Sequence, residues 1–222
     1  MILLIAVYQP GPQLGQFLAE TRRVLPAHDV VIVDDGSTPA VGNLPGCTVL
    51  RHDTNRGKGA ALRTGLRHIA AEHPGEDVLC SDPDGQHEVK DVQRVAEHLQ
   101  THGNLILGVR QFDAGVPLRN RFGNKLTCTL FHAATGREVR DTQTGLRGLP
   151  AVLIDWLLTI PGDHYEYEMS VLLRAAEKGL PIDQIPITTT YHKNGKSHFG
   201  SITDSVRIYR PLLRHASTRL IS

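Results

Sequence analysis

Short runs of consecutive apolar residues alternate along the first half of the chain with stretches in which apolar positions follow helical spacing. Ile2–Val7 is apolar throughout, which predicts a strand buried on both faces. After the turn signal Gln9-Pro10-Gly11-Pro12, residues Leu14, Phe17, Leu18 and Leu25 keep helical spacing until Pro26 ends it. Val30–Val33 predicts a second strand running into Asp34-Asp35-Gly36-Ser37. From about Arg56 to Ala71 a helix carries Leu62, Leu66, Ile69 and Ala70 on one face. Val78–Cys80 reads as a third strand that also ends in acids. Val89, Val92, Val95, Ala96 and Leu99 form a further helix face, and Leu105–Val109 a fourth strand. Such alternation predicts an α/β domain, a central and mostly parallel sheet flanked by helices.

The second half is less regular. Arg110–Asn120 predicts a loop, Arg121–Ala134 a helix, and Asp141–Leu149 has a mixed pattern. Tyr165–Lys178 is helical in spacing and Pro181–Tyr191 strand-like. A polar segment, His192–Gly200, precedes a last amphipathic helix from about Ile202. Neither a repeat nor a linker rich in Pro, Gly or Ser divides the sequence. The expectation is one domain over residues 1–222, with a front half (1–109), a back half (110–200) and a C-terminal helix (201–222).

Charge narrows the classes of partner. Lys and Arg number 24 against 23 Asp and Glu, a net charge of +1, so no global field would hold a nucleic acid. The hydrophobic fraction of 40% with 21% charged residues is that of an ordinary globular chain. Cys47, Cys80 and Cys128 are far apart and in no CxxC pair, which argues against a disulfide framework or thiolate zinc site and suits a reducing compartment. The apolar start is too short for a membrane span, and Asp155 interrupts Ala151–Ile160. A soluble, cytoplasmic domain is expected, with any membrane role peripheral.

The chemistry gathers where predicted strands end, which is where open α/β sheets bind ligands. Asp34-Asp35-Gly36-Ser37-Thr38 follows the second strand. Its carboxylates suit the N–H groups of a base or a ribose hydroxyl, and equally a turn that caps a helix. Asp82-Pro83-Asp84-Gly85-Gln86-His87 follows the third. Two carboxylates two residues apart, with the Gln86 amide beside them, make a hard oxygen site suited to Mg²⁺ or Mn²⁺ on a diphosphate. A calcium loop is excluded, because its further ligands are missing. Asn55-Arg56-Gly57-Lys58-Gly59 precedes a helix whose N-terminus, with Arg56 and Lys58, favours an anion. It is neither a dinucleotide fingerprint nor a P-loop. Of the twelve histidines only His87 falls near these acids.

Taken in order, Tyr8-Gln9-Pro10, the Asp34-Asp35-Gly36-Ser37 turn, Asn55-Arg56-Gly57-Lys58-Gly59 and the Asp82–His87 segment resemble the family 2 glycosyltransferases of the GT-A (nucleotide-diphospho-sugar transferase) fold. Gly108-Val109-Arg110, Pro117-Leu118-Arg119-Asn120-Arg121, Asp141-Thr142-Gln143-Thr144-Gly145-Leu146-Arg147 and Tyr165-Glu166-Tyr167-Glu168-Met169 are similar to its polyprenyl-phosphate branch, the dolichyl-phosphate glucose and mannose synthases. The resemblance implies a nucleotide-binding front half and an acceptor and sugar half behind it. It implies that Pro10, Asp34 and Asp35 line the base pocket and that Lys58 lies near base or diphosphate. Asp82, Asp84 and Gln86 would hold Mg²⁺ or Mn²⁺. Arg110, Arg119 and Arg121 would face phosphate, and Asp141 with Gln143 would border sugar and acceptor phosphate. The chain departs from the pattern at Gln9, Pro83 and Glu88, none of which removes a proposed metal ligand.

The implied reaction moves a hexose, with inversion, from a UDP-glucose-like or GDP-mannose-like donor to a polyprenyl phosphate. A phosphate acceptor is already anionic at neutral pH. Asp141 would therefore orient the sugar rather than act as a base, and Asp141→Asn should spare more activity than Asp84→Asn. Two other readings stay open: a saccharide or other hydroxyl acceptor, and a non-catalytic nucleotide-sugar-binding subunit. A sugar-phosphate nucleotidyltransferase is disfavoured, since Tyr8-Gln9-Pro10-Gly11 is not a glycine-rich phosphate loop. The basic amphipathic C-terminal helix suits packing on the domain or in a homodimer ahead of the membrane surface. His192–His198 suits a lid. Trp156 is expected in the core, and Glu166 and Glu168 either face the sugar or start a solvated helix.

Overall fold

The computed structural model describes residues 1–25, 28–83, 87–111, 118–188 and 211–212, with 118–120 as backbone alone. Seven strands form one mixed sheet: β1 (Ile2–Val7), β2 (Asp29–Asp34), β3 (Thr48–Arg51), β4 (Val78–Cys80), β5 (Leu105–Arg110), β6 (Arg147–Leu149) and β7 (Ile182–Ile187). Their spatial order is β3-β2-β1-β4-β6-β5-β7. Every pairing is parallel except those of β6, which runs antiparallel between β4 and β5. Helices α1 (Gln13–Val24) and α3 (Val89–His102) cover one face. Helices α2 (Lys58–Glu72), α5 (Ile154–Thr159) and α6 (Glu166–Glu177) cover the other, with α4 (Leu118–Thr135) packed against α6.

The alternation along β1 explains the two layers. Leu3, Ile5 and Val7 pack with Phe17, Leu18, Val92, Val95 and Leu99, whereas Ile2 and Leu4 pack with Leu62, Leu66, Ile69 and Leu157. Gly65 lets α2 lie directly on Leu4, because a Cβ there would overlap the leucine methyls. Gly103, at φ 64°, ends α3 with the left-handed residue such an end needs.

Several boundaries differ from the sequence expectation. β3 carries Thr48 and Arg51 at the sheet edge, so its apolar signal is weak, and it falls outside the four expected strands. Arg110 closes β5, and α4 begins at Leu118, so the expected loop is shorter than 110–120. Trp156 is half-buried against the core rather than inside it. Among the described residues no helix is long and apolar enough to cross a membrane. Of the C-terminal segment, Leu212 is described. It is buried in the core on the α2 face, and the rest of the expected helix, apart from Pro211, lies outside the described residues. The expected lid at His192–His198 lies outside the described residues.

Candidate active site

The chain reverses its direction of travel across the sheet at β1, which lies between β2 and β4. The crevice beyond the carboxyl ends of β1 and β4 is therefore the switch point, and Asp82 stands there just past β4. The Asp82 side chain is 29% exposed, and its Oδ1 accepts a 2.7 Å hydrogen bond from Lys58 Nζ. Burial pushes the Asp82 carboxyl up, but the charges of Lys58, His87 and Arg110 outweigh burial and hold it below the usual carboxylate range. Gly145 lies against this carboxylate so closely that a Cβ would overlap it. Lys58 also lies 3.1 Å from Glu168 Oε2 and 6.0 Å from the Tyr165 ring centroid. Burial opposes its charge, yet Asp82 and Glu168 raise its pKa above the ordinary lysine value.

The other acids after strands face inward. Asp34 is fully buried and accepts hydrogen bonds from the Ser37 and Val41 amides and from Arg51. Asp35 accepts from the Arg56 and Gly57 amides at 2.9 and 2.8 Å and pairs at 2.7 Å with His52 Nδ1. The two carboxylates thus knit together the loops that follow β2 and β3, with their oxygens already engaged. Ser37 Oγ accepts from the Gln9 amide, tying the Pro10 turn to the same loop. Three amides around the start of α2 are likewise occupied. Those of Arg56 and Gly57 go to Asp35, and that of Ala60 donates to the Asp163 carbonyl. A Cβ on Gly59 would come within 2.6–2.7 Å of Tyr167 and of the Gly162 and His164 carbonyls, so the loop before α6 covers this helix end. The loop thus covers part of the anion site expected at the N-terminus of α2, while the Arg56 side chain stays exposed and that of Lys58 reaches Asp82.

On the far side of Asp82, Arg110 grips Asp141 in a bidentate pair, Nε to Oδ2 at 2.6 Å and Nη2 to Oδ1 at 2.9 Å. The Arg110 and Gln143 amides also donate to Asp141, whose side chain is fully buried. Asp141 fixes the guanidinium, and Gln143 is positioned through its backbone. Arg121 is exposed on α4. Asp84 and Gln86 lie outside the described residues, as does the Arg119 side chain. The residues for a divalent ion are thus described in part. Asp82 fits: it is a part-exposed oxygen donor, cradled by a glycine and already faced by a cation. Among the described residues no group of three or more His, Cys, Asp or Glu is placed to hold an ion.

Sequence reading gave no role to Arg51, His52 or Gly145, and it missed the partners of Glu168. Glu168 is neither solvated nor open to a sugar, since it is 8% exposed and lies between Lys58 and Arg147. Glu166 instead accepts the Asp163 and His164 amides. Arg51 and His52 clamp Asp34 and Asp35, and Gly145 cradles Asp82. All three cysteines are free, and burial pushes the Cys80 thiol up to about 12, which rules it out as a nucleophile.

Residues 3–149 match the sequence profile of glycosyl transferase family 2. An uncharacterized protein of Methanocaldococcus jannaschii is 30% identical over 94% of this chain and 90% of its own. The undecaprenyl-phosphate mannosyltransferase of Micrococcus luteus is 26% identical over 89% of this chain and 86% of its own. The fold superposes on glucosyl-3-phosphoglycerate synthase from Mycobacterium tuberculosis, solved with Mn²⁺, UDP and glucosyl-3-phosphoglycerate. The TM-score is 0.71 at 18% identity, covering 97% of this chain and 79% of that one.

Proposed function

The chain belongs to glycosyl transferase family 2, and from that premise we propose that it moves a hexose from a nucleotide-sugar to a polyprenyl phosphate, with a divalent cation and with inversion. The observation that carries this reading is Asp82, held part-exposed at the switch point and faced by Lys58. Asp82, with Asp84 and Gln86, would hold Mg²⁺ or Mn²⁺. The ion would neutralise charge growing on the departing diphosphate. Lys58 would meet the same diphosphate as a mobile point charge. Asp34 and Asp35 would shape the base pocket from behind, through the loops they tie down, and Pro10 would line it.

Asp141 bears on the acceptor. An alcohol acceptor needs a base that can reach its proton, whereas this carboxylate is fully buried and bound by four donors. A phosphate acceptor needs no such base, and Arg110, oriented by Asp141, is suited to hold phosphate oxygens. The Micrococcus relative, named for undecaprenyl phosphate, supports the same choice. The Mn²⁺ and UDP bound by the Mycobacterium synthase support the cation and lean the base towards uridine.

A lipid-linked acceptor would be met at a membrane surface. Phe122 and Leu126, one turn apart on α4, are 71% and 40% exposed. Arg121 and Lys125 are exposed beside them, and the helix contains no acid. This face would rest on lipid.

Calorimetric titration of UDP, GDP and dTDP, each with Mn²⁺ and again with EDTA, tests the donor site. Metal-dependent binding of one diphosphate, followed by transfer of labelled sugar to undecaprenyl phosphate, is the expected result. Binding of none of the three would overturn the reading. Transfer to a saccharide but not to the lipid phosphate would replace the acceptor.

A further inference from the structure

A run of alternating charges leads from the site into the core. Lys58 Nζ lies 2.7 Å from Asp82 Oδ1 and 3.1 Å from Glu168 Oε2, and Arg147 Nε lies 3.4 Å from Glu168 Oε1. The inner end is rigid. Arg147, on β6, donates to the carbonyls of Thr142, Thr144 and Glu168, and its side chain is 5% exposed. Glu168 is therefore fixed by the guanidinium on one side and by its own helix on the other. The outer end is open, for Asp82 is the most exposed member of the run. Lys58 links the two on a four-carbon stem whose charged head can pivot.

An ammonium 2.7 Å from Oδ1 occupies one of the two oxygens that Asp82 could offer another cation. It also neutralises a carboxylate whose side chain is only 29% exposed. A second cation at Asp82 and the ammonium repel one another, so one must give way. A diphosphate changes the balance, because it offers Lys58 a new anion while Glu168 keeps its hold on the stem. We propose that Lys58 is a resident counter-ion that guards Asp82 in the donor-free site and moves to the diphosphate as the divalent ion arrives, with Glu168 the positioning residue that sets how tightly it guards. The inference rests on the assignment of the divalent ion to Asp82. It deepens that assignment by making cation and diphosphate binding cooperative, each weak without the other.

Mn²⁺ binding to the full chain, counted by the electron paramagnetic resonance of the free ion, provides the test, with and without inorganic pyrophosphate. Lys58→Met is expected to tighten Mn²⁺ binding without pyrophosphate by roughly three- to tenfold, the range of a single partly buried ion pair. It should weaken the additional binding that pyrophosphate confers. Glu168→Gln leaves the ammonium to Asp82 alone, and should weaken Mn²⁺ binding without pyrophosphate. Opposite signs at two touching residues are what loosening of the fold would not produce, and circular dichroism melts check that both variants are folded. Lys58→Gln gives the same comparison if the methionine variant does not fold. Unchanged or weaker Mn²⁺ binding in the folded Lys58 variant overturns the proposal. Asp82→Asn separates the two levels. If it leaves Mn²⁺ binding intact, the metal assignment itself fails. If it abolishes binding while Lys58→Met brings no gain, the guard alone fails.

Discussion

At Gly145 the backbone passes so close to Asp82 that a methyl group would overlap both carboxylate oxygens. Gly145→Ala must push the carboxylate aside, and displacement by about an ångström at a reacting centre costs on the order of a hundredfold in rate. The expected outcome is that loss in kcat/KM for sugar transfer with an unchanged circular dichroism spectrum; full activity would show that Asp82 has room to spare. Asp34 gives a prediction in pH. Burial alone would raise its carboxyl, but the Ser37 side chain and amide, the Val41 amide and Arg51 prevail and hold it below the usual carboxylate range. A carboxyl whose pKa is lowered by folding adds stability that is complete above its unfolded value and is lost as pH falls through the folded one. Stability should therefore decline below about pH 4, and Asp34→Asn, weaker at neutral pH, should show a shallower decline. Denaturant midpoints at pH 7, 4 and 3 would decide it, and parallel declines would exclude Asp34 as the cause. The acids themselves were legible in sequence. What their oxygens do was not, because Arg51, His52 and Val41 become their partners only once β3 and the loop after β2 are in place. Glu168 was misjudged for the same reason: it stands 86 positions from Asp82, and no local pattern marks it as the second anchor of Lys58.

Elements were legible where they were long and periodic. β1, β2, α1 and α3 fall close to their expected places because each buries a full face. β3 and β6 did not announce themselves: one is a half-exposed edge strand and the other, Arg-Gly-Leu, lacks the apolar run that marked the equally short β4. Helix α4 has the opposite character, since its pattern is clear but one part of it points the wrong way for a soluble helix. Phe122 and Leu126 are exposed on the same side, with Arg121 and Lys125 beside them. Replacing both apolar residues by serine should leave the melting temperature nearly unchanged, as neither belongs to a core cluster of the described residues. It should markedly reduce co-flotation with vesicles containing anionic phospholipid. Flotation equal to that of the unaltered chain would remove α4 from any membrane contact.

For the whole molecule, the α/β class and the order of site motifs were readable, whereas the order of strands was not. The chain has the GT-A architecture, with Asp82 at its switch point and the back half contributing β6 and β7 to the sheet of the front half. A ligand that binds this folded state alone stabilises it by about 2.7 kcal/mol at a hundred times its Kd. In a chain of this size that raises the melting temperature by about 5–10 °C. A nucleoside diphosphate should produce such a shift with Mn²⁺ and a much smaller one with EDTA; equal shifts would separate nucleotide binding from the cation. The place of β6 also matters before the protein is complete. It lies between β4 and β5, yet the ribosome makes it after both, and the span from Arg110 to Leu149 takes roughly 2–8 s to synthesise. Until then Val78–Cys80 has one open edge and Leu105–Arg110 has two, all three in nearly continuous apolar strands. The nascent chain thus passes through an interval in which β4 and β5 have both been made but the strand that joins them, Arg147–Leu149, has not.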